Sequence, residues 1–202
     1  MTFHISHTQP VTLTGRVIRL VPLSEEHIPD LTIAGQDEAI WLYMLYGIVD
    51  SEEKMRLWVR DILNRQSHGT DLAFTVIYQE SGRAIGATRY LDIRPEHRGL
   101  EIGGTWYGVP FQRTAVNTEA KYLLLQYAFE SLGCIRVQFK TDLRNERSQR
   151  ALERLGAIKE GVLRNHMLLM DGTYRHSVYY SILDTEWPGI KARLAEKLGY
   201  WL

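Results

Sequence analysis

A strand-like run, Leu100-Glu101-Ile102-Gly103-Gly104-Thr105-Trp106-Tyr107, leads through Gln112-Arg113-Thr114-Ala115-Val116-Asn117-Thr118 into an apolar-periodic stretch that reads as a helix from Asn117 to Leu132, and a further strand, Ile135 to Thr141, follows. Strand, helix, strand in so short a span confines the chain to a parallel pair joined by a right-handed crossover. The entry into the helix leaves backbone N–H groups without intrahelical partners, with the positive end of the helix dipole behind them. Such a place suits a phosphate. Taken alone, residues 112–118 read either as an anion cradle or as an ordinary capped helix start.

The remaining elements arrange themselves around this crossover. Residues 1–10 are polar and read as a flexible arm. Arg16 to Leu23 alternate as a strand does, and Ser24-Glu25-Glu26 announce a helix. One or two short helices are broken near Gly35 and Gly47, and a clearer one starts at Ser51-Glu52-Glu53. From Leu72 the period shortens: strands are predicted at Leu72 to Gln79, Ala84 to Ile93 and Leu100 to Tyr107, an antiparallel meander by its short glycine-containing turns. After the crossover come a helix from Asn145 to Leu155 ended by Gly156, and strands within Ala157 to Leu169 and Tyr174 to Leu183 around Asp171-Gly172. The result is a mixed α/β sheet in one domain over residues 11–185. The amphipathic segment within residues 186–202 packs on that domain or on a second subunit, which leaves a homodimer open.

Composition excludes several function classes. Lys plus Arg and Asp plus Glu are both 24, so no global positive field prepares the chain for nucleic acid. Arg144, Arg147, Arg150 and Arg154 share one helix side, read either as a solvated face or as a phosphate or acidic-partner surface. No run approaches the apolar length of a membrane span, and a lone cysteine, Cys134, excludes an internal disulfide. These point to the cytoplasm. The histidines show no ligand spacing, so no metal is expected.

Four segments together resemble the Gcn5-related N-acetyltransferase (GNAT) superfamily, and within it the Rim-type ribosomal-protein N-acetyltransferases. They are the Leu100–Tyr107 strand, the turn and helix from Gln112, the Ile135–Lys140 strand, and Asn145-Glu146-Arg147-Ser148-Gln149-Arg150-Ala151-Leu152-Glu153-Arg154-Leu155-Gly156-Ala157. The resemblance spans roughly residues 11–185. It implies the acyl-CoA N-acyltransferase fold: a mainly antiparallel central sheet of about seven strands with a splayed parallel pair, flanked by helices. It also implies acetyl-CoA as co-substrate and a primary amine as acceptor, either a protein N-terminal α-amine or a small molecule. The loop departs from the family's usual Gln/Arg-x-x-Gly-x-Gly/Ala, since Ala115 and Asn117 occupy the positions most often held by glycine. Asn tolerates unusual backbone angles and favours the helix N-cap, so an anion cradle is still expected.

The resemblance assigns roles residue by residue. Gln112, Arg113, Thr114, Ala115, Val116, Asn117 and Thr118 hold the diphosphate, and Trp106, Tyr107 and Gly108 offer backbone to the pantetheine arm and thioester carbonyl. Gly103, Gly104 and Gly108 either permit that approach or mark a bulge. Asn145 caps its helix, contacts pantetheine, or does both. Ser148 is the candidate proton donor to coenzyme A, or a small solvated helix residue. Glu101 is the candidate base, placed by alternation on the same face as Gly103 and Thr105, unless it merely solvates an exposed sheet face. Glu119 and Glu160 are weaker candidates, Glu119 being read as complementing the helix dipole or a cap. Trp41, Tyr43 and Tyr46 shape the acceptor pocket or belong to the core, and Arg89 joins them as an acceptor-side candidate. A non-catalytic acyl-CoA-sensing module on the same fold is the alternative, while a dinucleotide fold is disfavoured because no Gly-x-Gly-x-x-Gly follows a first strand.

Overall fold

In the computed structural model, which describes residues 10–200, the alternating runs become strands of one sheet. They are β1 (Leu13–Thr14), β2 (Ile18–Pro22), β3 (Leu72–Tyr78), β4 (Ala84–Arg94), β5 (Gly99–Tyr107), β6 (Arg136–Asp142), β7 (Ile158–Leu168) and β8 (Tyr174–Leu183). Their spatial order is β1-β2-β3-β4-β5-β6-β8-β7. Among the described strands only β5 and β6 run parallel. The strand beyond the seven expected is the two-residue β1, which pairs Leu13 with Leu20 and carries no alternation long enough to announce itself. Apart from Pro10, the expected N-terminal arm lies outside the described residues.

Five helices, α1 (Ile28–Ala34), α2 (Glu52–Ser67), α3 (Ala115–Gln126), α4 (Glu146–Leu155) and α5 (Trp187–Lys197), cover the two sheet faces. On one face Ile18, Leu20, Phe74, Tyr90, Ile102 and Val137 pack beneath α3, α4 and α5. On the other Ala73, Ile77, Ala87 and Trp106 meet α1, α2 and the segment between them through Leu31, Met55, Trp58 and Trp41. At the start of α5 the Trp187 ring stacks on Phe129 at 5.6 Å, and its Nε1 donates to Glu130 at 2.7 Å.

Two features decide the shape of the sheet's middle. The parallel pairing of β5 and β6 lasts for three residue pairs, Gly99 with Arg136, Leu100 with Val137 and Glu101 with Gln138, and then stops. Just beyond, the β4–β5 register steps from Arg89↔Gly103 to Ala87↔Trp106, so Gly104 and Thr105 together oppose Thr88. That is a β-bulge, and Gly104 takes the left-handed φ of 57° that it needs. The bulge also overturns an expectation from simple alternation. Glu101 turns to Gln138, whereas the Thr105 hydroxyl bonds Thr88 at 2.7 Å and Lys121 of α3 at 2.8 Å, on the other face.

Glu119 anchors the N-terminal strands rather than serving the helix dipole. Fully buried, its carboxylate accepts the backbone N–H groups of Arg16 at 2.8 Å, Val17 at 2.9 Å and Ile18 at 2.7 Å, and also the Tyr200 hydroxyl. Three consecutive amides at the mouth of β2 thus find their acceptor on α3. Gly15 is required beside them, because a Cβ there would stand 2.4 Å from the Glu119 carboxyl carbon. Glu119→Ala leaves these amides without partners and is expected to cost about 3 kcal/mol, with Glu119→Gln losing less. Chemical denaturation measures this; a midpoint shared with the parent chain would show that the anchor contributes nothing.

Candidate active site

Where β5 and β6 part, the sheet opens into a cleft of about 970 Å³ that runs from the N-termini of α3 and α4 to the segment following α1. One end is built from main chain. Gln112 is extended, Arg113 has a φ of 61°, and Thr114 caps α3, its Oγ1 accepting the Val116 N–H at 3.3 Å. The N–H groups of Arg113, Thr114, Ala115 and Asn117 make no hydrogen bond among the described residues. A left-handed residue followed by a helix start turns successive N–H groups toward one point, which is an anion nest.

The structure corrects one assignment in this loop. Thr114, not Asn117, is the N-cap; Asn117 lies in the first helical turn, where its Oδ1 accepts the Tyr107 hydroxyl at 3.2 Å. Residues 115 and 117 keep ordinary negative φ, so the glycines usual at those positions are not demanded by backbone geometry here. The left-handed position falls instead on Arg113. Gln112 is held in place, donating to the Tyr107 carbonyl at 3.0 Å and accepting from Arg147 at 2.8 Å.

Across the cleft, Asn145 caps α4 by accepting the Ser148 N–H at 3.0 Å. Both residues line the cleft, and the Ser148 hydroxyl makes no hydrogen bond among the described residues. On the edge of β5, Trp106 and Tyr107 line the cleft, while the Gly108 N–H is already given to the Ile85 carbonyl at 2.9 Å and is not free for a ligand. The Trp106 indole points away, into a cluster with Trp41 at 4.9 Å and Trp58 at 5.9 Å. Trp41 belongs to that cluster: its Nε1 donates to the Gly35 carbonyl at 2.7 Å and its ring does not line the cleft.

The opposite end is built from charged side chains. Glu101 is 2% exposed, which rules out the reading as a solvated sheet face. Its Oε2 accepts from Gln138 at 3.0 Å and lies 3.3 Å from the Lys140 ammonium. Arg89, also buried, sits 3.0 Å from the Asp71 carboxylate and donates to the Tyr46 hydroxyl, whose pKa burial raises. Tyr43, Tyr46, Arg89 and Glu101 all line this end. Glu160, by contrast, is occupied by Arg136 at the far edge of β6 and by Ser181. Burial pushes the Cys134 thiol up to about 12, as expected of an inert cysteine.

A family model described as an acetyltransferase (GNAT) domain matches residues 18–158. The chain therefore belongs to the GNAT family and is an acetyl-CoA-dependent N-acetyltransferase. Among its relatives is YdaF of Bacillus subtilis (strain 168), provisionally named a ribosomal N-acetyltransferase, 28% identical over 86% of this chain and 94% of that protein. An acetyltransferase structure from T. thermophilus, also provisionally named, is 40% identical over 95% of this chain and 99% of that one, with a TM-score of 0.86. A GCN5-related N-acetyltransferase from Brucella melitensis superposes with a TM-score of 0.88 at 29% identity, covering 94% and 86% of the two chains.

Among the cleft residues that sequence reasoning missed are the cations Lys121, Lys140 and Arg175. Lys121 had a legible signal, since it stands four residues after Asn117 and therefore one turn below the nest on the same helix face. Lys140 follows from the exact register of the parallel β5–β6 pair, Glu101 opposite Gln138, and Arg175 had no signal, because its position depends on β8 lying between β6 and β7.

Lys121 is 6% exposed with Thr105 as its one hydrogen-bond partner among the described residues, and burial pulls its pKa down to about 7. Between that value and the ordinary lysine range the unfolded chain holds a proton that the folded chain has released, so folding stability gains as pH rises. Relative to Lys121→Met, the parent chain should therefore be penalised most at about pH 6 and least near about pH 9.5. Urea titrations of both proteins at these pH values test this; a pH-independent gap would contradict it.

Proposed function

We propose that this chain acetylates the α-amine at a protein N-terminus in the cytoplasm, with small-molecule primary amines as the competing acceptor class, by direct attack in a ternary complex. The observation that carries the reading is one continuous cleft with an anion nest at one end and the buried Glu101 carboxylate at the other. The main-chain donors of residues 113–117 would hold the diphosphate of acetyl-CoA, and Trp106 and Tyr107 on the free edge of β5 would pair with its pantetheine amides. Bound there, acetyl-CoA supplies an acyl group activated as a thioester.

The acceptor arrives as an ammonium and must shed a proton before its nitrogen can attack. Glu101 takes that proton, directly or through water, with Lys140 and Gln138 fixing the carboxylate's position. As the C–N bond forms and the C–S bond breaks, the Ser148 hydroxyl donates a hydrogen bond to the departing sulfur. Asn145 sets Ser148 in place by capping α4. Kinship with a relative named for ribosomal N-acetylation favours the protein N-terminus over free polyamines or aminoglycosides.

Release of free thiol, measured across peptides beginning with Ser, Ala or Met and across polyamines and aminoglycosides, decides between the acceptor classes; turnover confined to the small molecules overturns the proposal. Glu101→Gln should lower kcat by roughly a hundredfold while leaving the KM for acetyl-CoA unchanged. Ser148→Ala should lower kcat as well. Asn145→Ala should lower kcat, weaken cofactor binding and cost about 1 kcal/mol of stability through the lost cap. Unaltered kcat in the Glu101 and Ser148 variants removes both from the mechanism.

A further inference from the structure

The charges at the acceptor end of the cleft do not cancel. Glu101 pairs with Lys140 at 3.3 Å, Asp71 with Arg89 at 3.0 Å, and Asp142 with Arg144 at 2.8 Å. Arg175 of β8 is left over. It is 6% exposed and lines the cleft, yet among the described residues no carboxylate lies within ion-pair distance of it. Its Nε donates to Ser177 Oγ at 3.2 Å, and one terminal nitrogen reaches the Tyr43 carbonyl at 3.5 Å, a marginal contact. The other terminal nitrogen has no partner among the described residues. A second observation comes from the same cleft. The Nε of Arg89, a residue 8% exposed, is buried without a hydrogen-bond partner against the bulge glycine Gly104.

Burying a guanidinium without a counter-ion is unfavourable, and cavities that carry such a charge are completed by an anion. A planar guanidinium with open donors recognises a carboxylate in particular. The nest that suits a diphosphate is at the far end of the cleft, so the surplus charge here belongs to the acceptor's side. Resting on the acetyltransferase reading above, we infer that the acceptor is a primary amine carrying its own carboxylate, held by Arg175 in the cleft that Arg89 also lines, while Glu101 receives the amine. Arg175 is in this view an acceptor-binding residue that sets specificity. The same chemistry occurs in a protein N-terminus with an acidic residue among its first positions and in a free amino acid or dipeptide.

The test pairs peptides that differ only by Asp or Glu against Asn or Gln at the second and third positions, together with dipeptides with free and amidated C-termini. Each is offered to the full chain saturated with coenzyme A, and binding is followed by calorimetry, which requires no turnover. Acidic peptides should bind about tenfold more tightly than their neutral partners if the first source is correct, and free-carboxylate dipeptides more tightly than amidated ones if the second is. The preference should vanish in Arg175→Met and persist in Arg175→Lys, with both variants checked for an unchanged coenzyme A affinity to show that the cleft is folded. Equal affinity for acidic and neutral ligands, or a preference that survives in Arg175→Met, overturns the inference. Thiol release from acetyl-CoA is followed separately: its absence for every amine, with the binding preference intact, would refute the catalytic reading and not this one.

Discussion

Everything at this site depends on β5 and β6 pairing for three residues and then separating. Each strand keeps its outer partner after the parting: β5 remains bonded to β4 through the bulge, and β6 stays in register with β8 along its whole length from Arg136 to Asp142. The inner edges are therefore left with unpaired main-chain groups inside the protein, a condition that folded chains avoid unless something completes it. An extended ligand with amide groups, as proposed for the pantetheine arm, would complete it. The bulge at Gly104 turns a parallel pair into a wedge, because the extra residue increases local twist and swings the end of β5 away.

The helices hold that wedge open by fixing the strands from outside. Glu119 ties α3 to the start of β2, and α3 is also the element whose N-terminus forms the nest, so a buried carboxylate outside the cleft lining fixes the position of the nest over the sheet. On the other face the Trp41, Trp58 and Trp106 cluster clamps α2 and the preceding segment to the same stretch of β5. These aromatic contacts explain why two tyrosines reach the cleft while the nearby Trp41 does not. The indole is committed to the core and to the Gly35 carbonyl, whereas the segment after it projects Tyr43 and Tyr46 into the cleft, with Tyr46 over Arg89.

The elements with long regular periods were legible in the chain itself. The meander from Leu72 to Tyr107 and the helix framed by Asn145 and Gly156 lie within a residue or two of where spacing and caps put them, since capping and alternation are local physics, whereas the crossover helix starts two residues early, ends its α-helical part at Gln126 and continues as a π-helical segment, Tyr127–Ser131. What escaped was set by tertiary pairing. Thr105 changes face because of one bulge, which alternation cannot show. Lys140 neighbours Glu101 through the register of the parallel β5–β6 pair, and Arg175 joins the cleft because β8 inserts between β6 and β7, an order that no run of residues encodes. The stretch between α1 and α2 has no period to read, so Trp41 could not be told from Tyr43 and Tyr46.

The nest itself shows how a motif can be kept while its usual residues are lost. Glycine at positions 115 and 117 would bring small size and backbone freedom, yet neither position uses that freedom here, because Thr114 starts the helix early and places both residues on its first turn. The unusual backbone angle has moved to Arg113, where a non-glycine residue in the left-handed region costs of order 1 kcal/mol. That strain is held by the bonds on either side of it: the Gln112 side chain to the Tyr107 carbonyl, and Thr114 Oγ1 to the Phe111 carbonyl at 2.8 Å. A loop stiffened in this way presents its amides already aimed, and a guanidinium travels with the turn. Electrostatic attraction and preorganisation then come from one residue, and the missing glycines are no argument against an anion at this place.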